Sequence, residues 1–149
     1  MNLVDITPAK AYNTHKGKKG LDLLSFPSHD WVEKKLDGVR SLVYVERGEV
    51  IITSRRIDKS GIHHRFQDNV PQLRDHVLFK SMGTAIFDGE IMMPQVKDED
   101  SLGSIMSVIG ALPEKAVETQ RKYGMAYLNI FDCMFADTDI QGLPLYQRR

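Results

Sequence analysis

The sequence has a single cysteine, Cys133, among its 149 residues. One thiol can form neither an internal disulfide nor a cysteine-based zinc site, and it suits a reducing compartment. No apolar run approaches the roughly 20 residues that a helix needs to span a bilayer, and the opening MNLVDITPAK has no signal-peptide apolar region. We therefore expect a soluble protein of the cytoplasm, or of the host-cell cytoplasm if the chain is viral, with no membrane partner; a nuclear location stays open.

Two further absences limit how the chain could bind nucleotides and nucleic acids. Its 20 Lys and Arg residues balance its 20 Asp and Glu residues, so any DNA contact must come from a local patch rather than from the overall charge. No G-x-x-x-x-G-K-[ST] phosphate loop occurs, so ATP binding would need another architecture. His63 and His64 would point to opposite sides of an extended segment, and no third ligand is spaced nearby, so we predict no metal site there.

Residues 31–40, WVEKKLDGVR, concentrate chemically useful side chains in a segment that otherwise reads as a strand running into a turn. Lys35, Asp37 and Arg40 stand in the spacing K-x-D-G-x-R, with Glu33 two residues before the lysine. A lysine is nucleophilic only when neutral, and its reference pKa of roughly 10.4 must be lowered by nearby cations or by desolvation. Asp37 could orient the amine or help hold a metal, and Arg40 offers a fork for ribose or phosphate oxygens. The alternative is a solvated strand end followed by an Asp-Gly turn.

Residues 84–93, TAIFDGEIMM, form a second stretch of this kind. If the strand is regular, Asp88 and Glu90 project from the same face, because side chains repeat every two residues. Two carboxylates among apolar neighbours need a cation, a metal or hydroxyl donors. The alternative is a hairpin turn at Asp88-Gly89 with an exposed glutamate, and the apolar flanks on both sides argue against it.

The remaining patterns predict the framework around these stretches. Two strands, 39–46 and 49–54, should form a hairpin around Arg47-Gly48. Apolar residues at helical spacing predict a packing helix within 67–79 and a second helix over 101–112, and a third should begin at Pro113 and end at Gly124. Residues 125–135 are apolar on both faces, which predicts a central strand.

Together these stretches resemble the covalent nucleotidyltransferases, the superfamily of ATP-dependent DNA ligases, RNA ligases and mRNA capping enzymes. K-x-D-G-x-R with its preceding glutamate resembles motif I, and residues 87–91, FDGEI, resemble motif III. Phe131-Asp132 is similar to motif IIIa of DNA ligases. Ser54-Arg55 is similar to the strand end that follows motif I in DNA ligases, although Arg56-Ile57 stands where glycine is usual.

The resemblance implies a nucleophile and a set of nucleotide contacts. Lys35 would attack the α-phosphate of ATP with the help of Mg²⁺, release pyrophosphate and carry AMP. Glu90 would also contact the metal. The implied nucleotide-binding residues are Glu33 at the adenine amino group, Phe131 stacked on the base, and Asp37, Arg40, Arg55 and Glu90 around the sugar and phosphates. For Arg55 the alternative is a side chain in a solvated strand end, and for Phe131 the alternative is packing in the core.

We therefore expect an α+β fold: antiparallel sheets flanked by helices around a nucleotide pocket, as in the ATP-grasp-like nucleotidyltransferase domain, in truncated form. Residues 1–28 would be an N-terminal lead-in and 29–149 a partial adenylation domain, with no C-terminal oligonucleotide-binding domain. The complete enzyme would be a monomer that seals nicked double-stranded DNA in replication, repair or recombination. This chain lacks motifs IV and V and is expected to be inactive in full ligation. The alternatives are an RNA ligase, an mRNA capping guanylyltransferase, or a non-catalytic nucleotide-binding remnant.

Overall fold

A computed structural model describes residues 35–94 and 101–149. The chain divides between Leu36 and Asp37 into two units, and every helix and strand described below belongs to the second, Asp37–Arg149. Within the described residues no helix is both long and apolar enough to cross a membrane.

The second unit is built on one antiparallel sheet with the spatial order β3-β2-β1-β4-β5-β6. Its strands are β1 (Val39–Glu46), β2 (Glu49–Ile57), β3 (His63–Arg65), β4 (Thr84–Met92), β5 (Tyr127–Ala136) and β6 (Thr138–Asp139). Its helices are α1 (Pro71–Arg74), α2 (Val77–Lys80), α3 (Ser101–Ile109), α4 (Pro113–Tyr123) and α5 (Leu145–Arg148). The expected α+β class is confirmed, with a single sheet among the described residues.

The hairpin of β1 and β2 forms where the alternating pattern predicts it. The strands pair without interruption from Ser41 opposite Ser54 to Glu46 opposite Glu49. Arg47 and Gly48 both have positive φ, 50° and 82°, as a two-residue type I′ turn requires. This turn sets the register that places the start of β1 beside the end of β4.

The hydrophobic core lies where α3 and α4 pack against the sheet. Because side chains alternate along a strand, every second residue of β1, β2 and β4 contributes to this core. The buried side chains from the strands include Val43, Val45, Val50, Ile52, Ala85 and Ile91, and those from the two helices are Ile105, Val108, Ile109 and Ala116. The alternate residues of the same strands, including Arg40, Asp88 and Glu90, are thereby directed to the other face.

The packing helix predicted within 67–79 is wrong as a continuous element. The segment instead forms a 3-10 turn at Gln67–Asn69, followed by α1 and α2. Asp75 caps the end of α1, and His76 has an extended backbone and a side chain that accepts a hydrogen bond from Leu78 N, so α2 starts as a separate helix. Val77 and Leu78, two of the apolar residues whose spacing predicts the packing helix, are 72 % and 59 % exposed.

Two other expectations need correction. The apolar residues whose spacing predicts the helix over 101–112 are only partly buried, since Ile105 and Ile109 are buried whereas Met106 and Leu112 are 51 % and 75 % exposed. The strand predicted over 125–135 forms as β5, but it is not central. It pairs with β4 along its length and with β6 only at Phe135 and Ala136.

Candidate functional site

The pairing of β1 with β4 brings Arg40, the arginine of K-x-D-G-x-R, beside the carboxylates of FDGEI. Arg40 lies directly opposite Glu90, and Leu42 lies opposite Asp88, so Arg40 reaches Asp88 diagonally across the two strands. Its Nε donates to Asp88 Oδ1 at 2.9 Å, and a second guanidinium nitrogen donates to Oδ2, which gives a bidentate pair. Asp88 is 1 % exposed, so this pair compensates a carboxylate that would otherwise be costly to bury. The hydrogen bonds that Arg40 donates to Asp88 raise the pKa of Arg40, which remains a cation.

Glu90 holds the backbone that leads into β1. Gly38 N donates to Glu90 Oε1 at 3.1 Å. A Cβ on residue 38 would lie 2.3 Å from Ile91 O, so no other residue fits here without displacing β4. The glycine of K-x-D-G-x-R therefore has a structural reason within the described residues, which is close approach of two strands.

The glycine between the two carboxylates also lies against a neighbouring strand. A Cβ on Gly89 would lie 2.6 Å from Asn129 O on β5. Residues 88–90 continue β4 and pair with β1 on one side and β5 on the other, so the alternative reading of a hairpin turn at Asp88-Gly89 is wrong. Asp88 and Glu90 lie on one face of β4, as the period of two predicts.

Phe131 lies at an irregularity of β5. Asp132 pairs with Asp88 and Ile130 pairs with Gly89, so Phe131 between them has no partner on β4. Bulges of this kind re-aim a side chain. The Phe131 ring centroid is 5.3 Å from Arg40 Cζ, within the range of a cation–π contact. The three predicted residues Arg40, Glu90 and Phe131 are thus brought together.

An ion pair beside this group was not predicted from the sequence. Arg148 Nη2 lies 3.1 Å from Asp132 Oδ2, and the two side chains are only 15 % and 13 % exposed. Arg149 Nε donates to Phe131 O at 2.7 Å. Arg148 and Arg149 therefore both contact the bulged part of β5, at Asp132 and at Phe131. Two adjacent arginines in the closing QRR were the available sequence signal, but nothing in the local pattern identifies their partner.

The other predicted site residues are not part of the group formed by Arg40, Glu90 and Phe131 within the described residues. Arg55 is half-buried at the end of β2 and forms no ion pair within the described residues. The backbone at Arg56-Ile57 does not have positive φ, so the glycine usual at this place is not needed for the turn. Asp37 is exposed. Lys35 is exposed and belongs to the first unit, and Glu33 lies outside the described residues.

Metal ligation is a separate question from nucleotide contact. Among residues 35–94 and 101–149, no group of three or more His, Cys, Asp or Glu side chains could hold a metal ion. His63 Nδ1 lies 2.9 Å from Ser54 O. Glu90, the residue predicted to contact the metal, lies directly opposite Arg40 in the sheet.

Comparisons with known proteins identify the family and the fold. The chain matches the family described as "ATP dependent DNA ligase domain" over residues 8–149. A DNA ligase of Pyrobaculum neutrophilum is 31 % identical over 118 residues, which cover 78 % of this chain and 19 % of that protein. A mycobacterial DNA ligase D complexed with ATP and MES has a TM-score of 0.55 and 22 % identity, over 78 % of this chain and 33 % of that one. The ligase domain of LigD from M. tuberculosis has a TM-score of 0.53 with the same identity and the same coverage.

These comparisons define both what is shared and how much of each relative is present. The fold is that of the two solved ligase structures, at an identity that supports likeness of fold alone. The chain spans about a fifth of the curated relative and about a third of each solved chain. The family match covers nearly the whole sequence, so this chain belongs to the family of ATP-dependent DNA ligase domains.

Proposed function

We propose that this chain is the nucleotide-binding part of a DNA ligase adenylation domain, in which Lys35 takes AMP from ATP. The observation that carries the proposal is the group formed by Arg40, Glu90 and Phe131, which joins the motif I strand to the motif III strand and to the bulge of β5. It offers a fixed cation, a carboxylate and an aromatic ring in one place, which are the kinds of group that recognise a phosphate, a ribose and a base.

The side chains of the proposed site differ in how firmly they are held and in the part of ATP that each would contact. The Arg40 guanidinium is held by Asp88 on one edge and lies over Phe131, so it would meet the sugar or phosphates without losing much side-chain entropy. Phe131 is half-buried, and stacking on the adenine is its proposed role. Arg55 would contribute a second cation to the sugar and phosphates, and Glu33 would contact the adenine amino group.

The chemistry proposed for Lys35 is a substitution at phosphorus. The neutral amine forms an N–P bond to the α-phosphate, the bond from that phosphorus to the bridging oxygen breaks, and pyrophosphate leaves with the electron pair. The amine must lose one proton before attack and a second afterwards. Asp37, two residues along the chain, is the carboxylate proposed to orient it.

Magnesium is proposed to neutralise the phosphate charge when it is bound together with ATP. Mg²⁺ in such sites is commonly held by one or two carboxylates together with substrate phosphates, so a cluster of three protein ligands is not required. Glu90 fits this limited role, because it is a carboxylate beside the Arg40 cation on the face proposed to bind the nucleotide. Asp88 does not fit it, since both of its oxygens accept hydrogen bonds from Arg40.

Nicked double-stranded DNA is the proposed substrate of the complete enzyme. AMP would pass from Lys35 to a 5′-phosphate at the nick, and the 3′-hydroxyl would displace it. We expect no nick sealing by this chain alone, because the resemblance assigns the α-phosphate contacts that assist the lysine to later motifs.

The experiment that tests the proposal is the intact mass of the purified chain before and after incubation with Mg-ATP. We expect addition of one AMP that is absent in Lys35→Ala and retained in Lys115→Ala, a matched control at an exposed lysine on α4. GTP in place of ATP should give less product, and equal or greater labelling would favour the guanylyltransferase alternative. If AMP is absent both from this chain and from a chain extended through the later family motifs, the proposal fails and the non-catalytic reading stands.

A further inference from the structure

The segment of residues 54–65 has a charge composition that differs from that of the whole chain. It spans the end of β2, the following turn and β3, and we call it the basic ribbon. It contains four cations, Arg55, Arg56, Lys59 and Arg65, and one carboxylate, Asp58. On a molecule with zero net charge, this excess is a local positive patch of the kind that binds polyanions.

The cations of the basic ribbon have no carboxylate partner in the part of the chain that the structure describes. Within the described residues none of the four forms an ion pair, whereas Arg40, Arg74 and Arg148 each have a carboxylate partner. The single carboxylate is used by the turn itself, since Asp58 Oδ1 accepts from the backbone N–H groups of Ser60 and Ile62 at 2.8 and 3.0 Å. The positive charge of the ribbon therefore remains available to a ligand.

The ribbon is also placed to meet a large ligand. Arg56, Lys59 and Arg65 are exposed, and β3 is the end strand of the described sheet. Between the pairs Thr53–Arg65 and Ile57–His63, three residues of β2 stand opposite one residue of β3, which is a bulge. A bulge increases the local twist and spreads side chains in several directions, so the cations are not confined to one flat row.

The composition of the ribbon favours contact with a phosphate backbone over contact with bases. Proteins that bind single strands stack bases on exposed aromatic side chains. Residues 54–65 contain no Phe, Tyr or Trp, and Phe66, which follows, is 1 % exposed. Four arginine and lysine side chains without aromatic partners are suited to the closely spaced phosphates of a duplex.

The sheet register relates the ribbon to the candidate site. Arg65 lies opposite Thr53, Thr53 opposite Leu42, and Leu42 opposite Asp88, so Arg65 and Asp88 lie on the same face and three strands apart. At a strand spacing of about 4.8 Å this separation is roughly 14 Å. Phosphates along one DNA strand advance by about 3.4 Å per base pair, so the ribbon would meet the backbone roughly four base pairs from a nick at the site.

We infer that the basic ribbon binds the phosphate backbone of duplex DNA on one side of the nick, through Arg56, Lys59 and Arg65. This inference rests on the proposed function, because it takes the nucleotide site as the position of the nick. It adds a DNA-binding surface that lies outside the nucleotide contacts.

The test is the salt dependence of duplex binding by the whole chain, measured by fluorescence anisotropy with a labelled nicked duplex. The variant Arg56→Ala, Lys59→Ala, Arg65→Ala is compared with a matched control on α4, Lys115→Ala, Arg121→Ala, Lys122→Ala, whose three side chains are also exposed. Both triple variants lose three positive charges, so the change in overall charge is the same. Thermal unfolding of each variant verifies that it is folded.

For the ribbon variant we expect affinity at low salt to fall by at least about tenfold, and the slope of log K against log salt to become shallower by up to about 2.7, or about 0.9 per lost phosphate contact. The control should stay within about threefold of the original chain. Equal losses in both variants, no loss in the ribbon variant, or no duplex binding by the original chain would overturn the inference. Preference for a single strand over a duplex would do the same.

The result of the DNA-binding test does not depend on whether Lys35 accepts AMP. A chain that accepts AMP on Lys35 but binds DNA equally well without the ribbon cations contradicts only the inference about the ribbon. A chain that binds duplex DNA through the ribbon but never accepts AMP contradicts only the proposed function.

Discussion

At the scale of single residues, the environment of Asp132 disfavours the charge of its carboxyl group. Its side chain is 13 % exposed, and it forms an ion pair with Arg148. Its Oδ1 atom is buried without a hydrogen-bond partner. Burial raises the pKa of Asp132 above its usual value, Asp88 on the neighbouring strand raises it further, and Arg148 opposes both effects.

Because folding raises the pKa of Asp132, the contribution of this residue to the free energy of unfolding decreases as pH rises. The folded state holds the Asp132 proton more tightly than the unfolded chain, whose aspartate pKa is about 3.9. Stability from this group is therefore fully present below about pH 4 and is lost as pH rises through the higher folded pKa. We predict that Asp132→Asn removes this loss, so the free energy of unfolding of the variant gains on the original chain as pH rises from about 3 to 6.

The measurement is urea unfolding at a series of pH values. Asp139→Asn, which changes an exposed carboxylate on β6, provides the comparison variant. If Asp132→Asn differs from the original chain by the same free energy at every pH in this range, the interpretation of Asp132 is wrong.

The residues of the site differ in how far the sequence could predict them. The common face of Asp88 and Glu90 follows from the period of a strand, and β4 is regular against β1. The partner of Asp88 does not follow, because a diagonal contact with Arg40 depends on the register between strands that are 48 residues apart in the sequence. The position of Phe131 in a bulge depends on the pairing of β5, which local pattern does not encode.

At the scale of elements, a buried glutamine joins α4 to a segment about 50 residues earlier in the sequence and to the start of β5. Gln120 on α4 is 1 % exposed. Its Nε2 donates to Asn69 O at 2.6 Å, and its Oε1 accepts from Ala126 N at 3.1 Å and from Gln72 Nε2 at 2.7 Å. These bonds connect α4 to the 3-10 turn, to α1 and to the residue before β5.

We predict that Gln120→Met destabilises the fold by about 2–4 kcal/mol, because a side chain of similar size then leaves backbone groups at Asn69 and Ala126 buried without partners. Urea unfolding measures the change. Glu118→Met, an exposed substitution on the same helix, should change the free energy of unfolding by less than about 0.5 kcal/mol. A Gln120→Met variant as stable as the Glu118→Met variant would show that this network contributes little.

The elements that the sequence predicts well are those with a local cause. The β1–β2 hairpin has a two-residue turn with positive φ, and α4 begins at Pro113 and ends before Gly124, whose φ is 113°. The helix predicted within 67–79 fails because burial of Val70 and Phe79, rather than helical spacing, determines the path of this segment. The central strand predicted over 125–135 fails because apolar composition does not reveal how many partners a strand has.

At the scale of the whole molecule, zero net charge conceals an uneven distribution. The cations of the candidate site are held by carboxylates, as Arg40 is by Asp88 and Arg148 by Asp132. The cations of the basic ribbon have no such partners within the described residues. The proposed nucleotide site has fixed charges and the proposed DNA surface has available ones, as expected of a molecule that binds one small anion in a defined geometry and a long polyanion with little sequence preference.

Ligand binding to the folded state should also be visible in the stability of the molecule as a whole. ATP at about 100 times its Kd should stabilise the chain by about 2.7 kcal/mol and raise its melting temperature by several degrees. Phe131→Leu, which keeps an apolar side chain but removes the ring, should reduce this ATP-dependent rise. Tyr127→Leu, an exposed change on the same strand, should leave it unaltered.

Because each variant is compared with itself with and without ATP, any loss of packing cancels. If the rise is the same in both variants, Phe131 packs in the protein without stacking on the base. If ATP produces no rise in the original chain, the group formed by Arg40, Glu90 and Phe131 does not bind the nucleotide in this chain.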